Sequence, residues 1–204
     1  MNIQSLRKKA RDGSLEVEHV LQAAIERQPG LAEELSSLSK KHAWQFESLQ
    51  PDGRRVVPFA RWATVAATYA SGGFPELRKL LDEPDNLPFV LGLVESIKTS
   101  ESVVFILDIC NQYLKDDPQS TIAAFQIASS FNLLLSFKHA PVISDQQAKS
   151  IQDFLMALYP HAKSQVDRAT VLLALRGVGD HSAMTFVEAA ADFTNPWAAT
   201  KQVV

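Results

Sequence analysis

One cysteine, Cys110, stands in 204 residues, so no internal disulfide can form and the disulfide-stapled secreted class is excluded. Long apolar runs are missing too. Stretches such as Phe89 to Val94 and Val103 to Leu107 fall far short of the roughly 20 residues a membrane helix needs, so no membrane partner is expected. Glycine (8) and proline (10) are sparse, which rules out collagen-like and low-complexity chains. Neither charge sign dominates. Twenty lysines and arginines face 23 aspartates and glutamates, leaving a net charge of -3. A nucleic-acid binder draws much of its affinity from phosphate neutralisation and normally carries a strong basic field, so nucleic acid is not the expected partner. The opening Met1-Asn2-Ile3-Gln4-Ser5-Leu6-Arg7-Lys8-Lys9 leads to more charge instead of the roughly 7–15 apolar residues of a secretory signal, and a cytoplasmic location is the expectation. What remains is 46% hydrophobic and 21% charged, the composition of one ordinary globular domain, 1–204.

Helical periodicity runs from end to end. Val17, Val20, Leu21, Ala24 and Ile25 mark one face of a helix that begins after Ser14 and ends before Pro29-Gly30, and Leu31, Leu35 and Leu38 continue on the next. An extended lead-in from Val56, pinned by Pro58, precedes a helix from Ala60 to Ala70, which Gly72-Gly73 closes. Pro75 suits the start of the following helix, where its missing N–H is not needed. Further helices are predicted at 75–82, 87–98, 101–115, 119–137, 145–158, 165–176 and 181–192. Ser144-Asp145-Gln146-Gln147 reads as a capping box, and Ser164-Gln165-Val166-Asp167 as a weaker relative. The stretch 44–57 has two readings. Its Gln50-Pro51-Asp52-Gly53 turn signal suits a β-hairpin, whereas spacing through Leu38, His42, Gln45 and Leu49 extends the preceding helix and leaves an ordered loop at 50–57. The helical continuation is the preferred one.

Trp62 to Gly73 lies over Arg168 to Gly179 without a gap, with Ala-Thr-Val and the final glycine coinciding. Each copy is followed by a second helix, so a helix, tight turn, helix unit is used at least twice. A middle copy runs from Val103 to Leu114, Asp116-Asp117-Pro118 and the helix near Ser120. The segment Asp167-Arg168-Ala169-Thr170-Val171-Leu172-Leu173-Ala174-Leu175, with Gly179-Asp180 and Ala183-Met184-Thr185-Phe186-Val187 after it, resembles a HEAT repeat. The resemblance implies an all-α fold, a HEAT-like α-α superhelix or solenoid of antiparallel helix pairs over 56–192, with 1–50 as atypical capping helices. A solenoid leaves one curved face open, which suits holding another macromolecule.

Signals for chemistry are few. Glu16-Val17-Glu18-His19 contains Glu-x-x-His, which di-iron bundles use in two copies with further glutamates; here there is one copy, and a charged surface helix is the simpler reading. His42, His139, His161 and His181 are isolated, so no metal is expected. Cys110 shares an apolar helical face with Ile106 and is expected to be a buried small hydrophobe. No nucleophile elbow, phosphate-binding glycine loop or His-Glu dyad is present, and neither catalytic residues nor a cofactor is expected.

Arg7-Lys8-Lys9-Arg11 is a basic cluster best read as solvated charge, and Arg54, Arg55 and Arg61 form a second beside Trp62. Trp62, Trp44 and Phe59 are expected in the core. The helix 119–137, apolar nearly all round, is expected to be central and covered on both sides, with Gln126, Ser129, Ser130 and Asn132 either facing a groove or bonding locally. The resulting expectation is a non-catalytic protein-binding module, such as a small bacterial immunity protein that occludes a basic toxin. Its candidate contacts are Arg54, Arg55, Arg78, Lys79, Glu83, Glu188 and Asp192, on second helices and long loops. The alternatives are a HEAT-like DNA glycosylase-type protein and a structural adaptor or accessory protein.

Overall fold

Ten α-helices and one two-stranded hairpin make up the described part of the chain. The structure, a computed structural model, describes residues 1–41, 45–50, 53–114, 118–136, 139–178 and 181–190. Backbone contacts gather into two compact units, Met1–Ile97 and the chain from Lys98 onward.

The first unit begins with a helix that the hydrophobic pattern did not reveal, α1 (Ile3–Arg11). Asn2 caps it by accepting the Ser5 N–H at 2.8 Å. Lys8, Lys9 and Arg11 occupy its last turn, where the helix dipole favours cations. Arg7 turns instead to Glu34, 2.8 Å from its Nε and 2.5 Å from its Nη2. Next come α2 (Val17–Ile25) and α3 (Leu31–Lys41). The preferred continuation of this helix to Leu49 is overturned. Strands β1 (Gln45–Gln50) and β2 (Gly53–Pro58) pair antiparallel from Gln45 opposite Pro58 to Gln50 opposite Gly53. Pro51 disfavours helical geometry at the residue before it, and Val56-Val57 favour extended backbone, so pairing across Pro51-Asp52 satisfies the peptide groups better than a prolonged helix would.

The hairpin delivers the chain into α4 (Phe59–Lys79), which packs on α2 and α3, and α5 (Leu87–Ile97) packs on α4 and α2. Two single 3-10 turns, Leu80–Asp82 and Pro84–Asn86, join α4 to α5. Leu6, Val20, Leu31, Leu35, Phe59, Val65 and Leu77 form much of the core. Gly73 interrupts α4 with φ 68° and ψ -152°, a backbone conformation essentially reserved for glycine. The Arg27 guanidinium fills the adjacent space, 5.4 Å from the Tyr69 ring centroid, and a Cβ at position 73 would lie 2.6 Å from its Nη2.

In the second unit α6 (Ser100–Tyr113), α7 (Pro118–Leu135), α8 (Asp145–Leu158) and α9 (Gln165–Leu175) follow a regular scheme. α6 meets α7 and α8, α7 meets α8 and α9, and α8 meets α9, so each helix touches the next and the next but one. A 3-10 turn, Tyr159–His161, ends α8, and α10 (His181–Ala190) sets Phe186 edge-on to Tyr159 at 5.3 Å. Three capping boxes start these helices. Thr99 with Ser102, Ser144 with Gln147 and Ser164 with Asp167 each exchange side chain-to-backbone bonds, the last two as the sequence leads one to expect. The Gln152 amide donates to the Val178 carbonyl, tying α8 to the turn after α9. Gly177 lies against the end of α7, where a Cβ would come within 2.8 Å of the Leu135 backbone carbon.

Candidate functional site

The predicted contact residues fall on elements of both units. Arg54 and Arg55 lie on β2, while Arg78 and Lys79 close α4, where Lys79 pairs with Glu76 at 2.6 Å. Glu83 lies between the two 3-10 turns, exposed, 3.6 Å from Arg61. These belong to the first unit, whereas Glu188 is exposed on α10 of the second and Asp192 lies outside the described residues.

Arg61, the cation a nucleic-acid reading would use, is held internally. Its Nη1 donates to Asn86 Oδ1 at 2.6 Å, and Glu83 and Asp85 lie 3.6 and 3.8 Å away. Asn86 is buried and donates to the Leu80 carbonyl at 3.0 Å, so the guanidinium fastens the α4–α5 connection. Trp62 packs edge-on against Phe89 at 5.3 Å, with Gly92 leaving room for its ring. It is a packing residue.

The Glu-x-x-His signal also has a structural explanation. The Glu16 backbone N–H donates to His19 Nδ1 at 3.0 Å, a bond that closes the first turn of α2. Among the described residues no group of three or more His, Cys, Asp or Glu side chains is placed to hold a metal ion. Cys110 is buried, its thiol donates to the Ile106 carbonyl at 3.2 Å, and burial, with Asp108 nearby, pushes its pKa up to about 12. A thiol so held is nearly all protonated at neutral pH and is a poor nucleophile.

A concave feature does appear in the second unit, a groove of about 410 Å³ along α7. Pro118, Ile122, Phe125 and Ser129 recur at three- and four-residue steps and so share one helical face, with Thr121 and Gln126 beside them. His161, Lys163 and Asp167, from the connection between α8 and α9 and the first turn of α9, make the other wall. Ile122 is 63% exposed, so α7 is not the doubly covered helix that its composition suggests. Its buried face carries Ala124, Ile127, Phe131 and Leu134, and α7 packs on α6, α8 and α9 while Ile122 stays open. Gln126 and Ser129 border the groove and Ser130 donates to the Gln126 carbonyl at 3.2 Å, as expected of them, whereas Asn132 Oδ1 is buried without a hydrogen-bond partner.

Charge in the groove has a definite arrangement. Asp167 Oδ2 accepts the Ser164 N–H at 3.0 Å, and Ser164 Oγ accepts the Asp167 N–H at 3.1 Å. That carboxylate therefore serves the start of α9. Lys163 is exposed and has no ion-pair partner among the described residues.

No family model matches the chain, and neither the curated proteins nor the solved structures yield a match. The site must be judged on its own chemistry. Half-buried and exposed apolar side chains beside hydroxyl, amide and charged groups suit the docking of an amphipathic segment. The polar residues Gln126 and Ser129 already suggested a groove on this helix, but Ile122 and Phe125 look like core in a helix apolar nearly all round, so their place in its lining was not legible. No helix among the described residues is long and apolar enough to cross a membrane.

Proposed function

We propose that the chain is a non-catalytic, protein-binding helical module that uses the α7 groove as its recognition site. The observation carrying this reading is Ile122, a large aliphatic side chain left 63% exposed at the lip of a concave surface that also holds Phe125. An isolated exposed isoleucine is ordinary; one beside a half-buried aromatic in a groove with a polar rim has the anatomy of an interface anchor. The alternating contacts of α6 to α9 support a stacked helical-hairpin architecture of the HEAT-like kind, in which such faces recur.

A narrower form of the proposal is a toxin-neutralising immunity protein that works by occlusion. It requires a neighbouring reading frame for a toxic protein whose effect co-expression relieves. The broader reading is tested by affinity purification from the source cells with wild type and Ile122→Asp in parallel. A partner retained by the first and lost by the second, at unchanged circular dichroism, is the expected result. Equal recovery with both would remove the groove from the account.

A further inference from the structure

We infer that the open face of α7 pairs with the same face of a second copy of this chain, the two helices running antiparallel across a two-fold axis. This rests on the protein-binding reading of the groove and names its partner. Ile122, Gln126, Ser129 and Leu133 follow one another at steps of four, three and four residues, the spacing of a coiled-coil seam along one side of a helix. All four are exposed, Ile122 at 63% and Leu133 at 39%. The first three line the groove together with Thr121 and Phe125, and Leu133 lies one turn beyond it. At 1.5 Å per residue the seam is about 16 Å long.

The order of these side chains points to the second copy. Apolar, polar, polar, apolar reads the same from either end. An antiparallel copy therefore sets Ile122 against Leu133 of the second copy and Gln126 against its Ser129, and each contact recurs across the axis. The Gln126 amide can donate to the facing hydroxyl, and such a polar layer fixes the register, because a slip by one turn brings an apolar side chain against it. Charge agrees with this occupant. α7 has no charged residue in 18 positions, in a chain that is 21% charged, and depletion of charge marks the centre of an interface. On the facing wall Lys163 and Asp167 set one charge of each sign beside His161. A rim of that kind favours neither an acidic nor a basic partner, but it meets its own copy with no excess of like charge. A single seam of this length covers less than the roughly 800 Å² per partner of a standard interface, so the dimer is weak, with a dissociation constant of about 10–100 μM. In dilute solution the Ile122 face is open.

The test is sedimentation equilibrium of the full chain from about 1 to about 500 μM, a range that brackets the expected constant. Wild type should pass from monomer to dimer. Ile122→Asp should weaken association by at least about thirtyfold, the scale of an interface anchor, and stay monomeric. Position 122 is exposed, and an unchanged urea midpoint verifies the fold. Register is read by mixing Ile122→Cys chains with Leu133→Cys chains and adding a bismaleimide shorter than the seam. Cys110 is buried and stays out of the reaction. Covalent dimers should form in the mixture and not with either variant alone. Covalent dimers from Ile122→Cys alone would overturn the antiparallel pairing. A monomer at every concentration, or a dimer that Ile122→Asp leaves intact, would overturn the inference. Recovery of a different protein by wild type but not by Ile122→Asp in the purification above would then preserve the protein-binding reading without this partner.

Discussion

The open face of α7 can be tested without a partner by shortening two isoleucines on the same helix. Ile127 is fully buried and Ile122 is 63% exposed, so the same substitution to alanine samples opposite sides. Ile127→Ala deletes buried methyl and methylene groups and leaves a cavity, which costs about 2–5 kcal/mol depending on how far the surroundings relax. For Ile122 only the covered third or so of the side chain is at stake. With full burial contributing about 1.5–3 kcal/mol, that share is about 0.5–1 kcal/mol. Alanine's better helix propensity returns up to about half a kcal/mol, so Ile122→Ala should be nearly neutral. Urea unfolding followed by circular dichroism at 222 nm and by a second probe gives the difference. The second probe is needed because two compact units need not unfold in one step. Comparable destabilisation by the two substitutions would mean that Ile122 is packed, and the groove with its proposed function would fall.

Other substitutions probe the supports of the site. Gly177→Ala brings a Cβ within 2.8 Å of the Leu135 backbone, which cannot swing aside, and should cost about 1–3 kcal/mol; an unchanged melting temperature would contradict the close packing of the α9 turn on α7. Ser164→Ala removes the acceptor for the Asp167 N–H and should cost about 1 kcal/mol in urea unfolding, against almost nothing for Ser150→Ala within α8. Cys110 should resist a disulfide reagent at pH 8 until urea is added, and rapid reaction in the native state would show that the α6 thiol is not buried. Its folded pKa of about 12 stands above an ordinary value of 9.0, so the stabilisation it gives is complete below pH 9 and is lost as pH rises toward 12. Cys110→Ala should therefore show a flatter alkaline decline in stability than wild type, and parallel curves would refute the assignment.

Most of the secondary structure could be read from one-dimensional pattern. The limits predicted for α5 to α9 agree with those observed to within two residues or so, because apolar spacing, Ser-led capping boxes and Pro or Gly stops act within a turn or two of chain, while the predicted end of α10 at 192 lies outside the described residues. The Gly72-Gly73 stop and the Pro75 restart were legible for the same reason, and Gly73 indeed takes the left-handed φ. Two features escaped. α1 has few apolar residues, and what makes it a helix includes the Asn2 cap and packing on α2 and α3. The 45–58 hairpin competed with a continued helix whose local spacing was equally good, and pairing between strands settles that contest, which no single window contains.

The amino-acid order by itself fixed where helices start and stop, since caps and periodicity are local interactions. It also fixed the absence of a disulfide framework within the chain, because one cysteine has no partner. Which side of α7 meets other helices was decided in three dimensions. A helix with Ile122, Phe125, Ile127, Phe131 and Leu134 offers several apolar sides, and only the packing of α6, α8 and α9 around it determines that Ile127 is sealed while Ile122 remains open. The same holds for charge. Sequence counts Asp167 and Lys163 simply as opposite charges, and only the folded chain shows the Asp167 carboxylate accepting the Ser164 N–H at the start of α9 while Lys163 is exposed in the same groove lining.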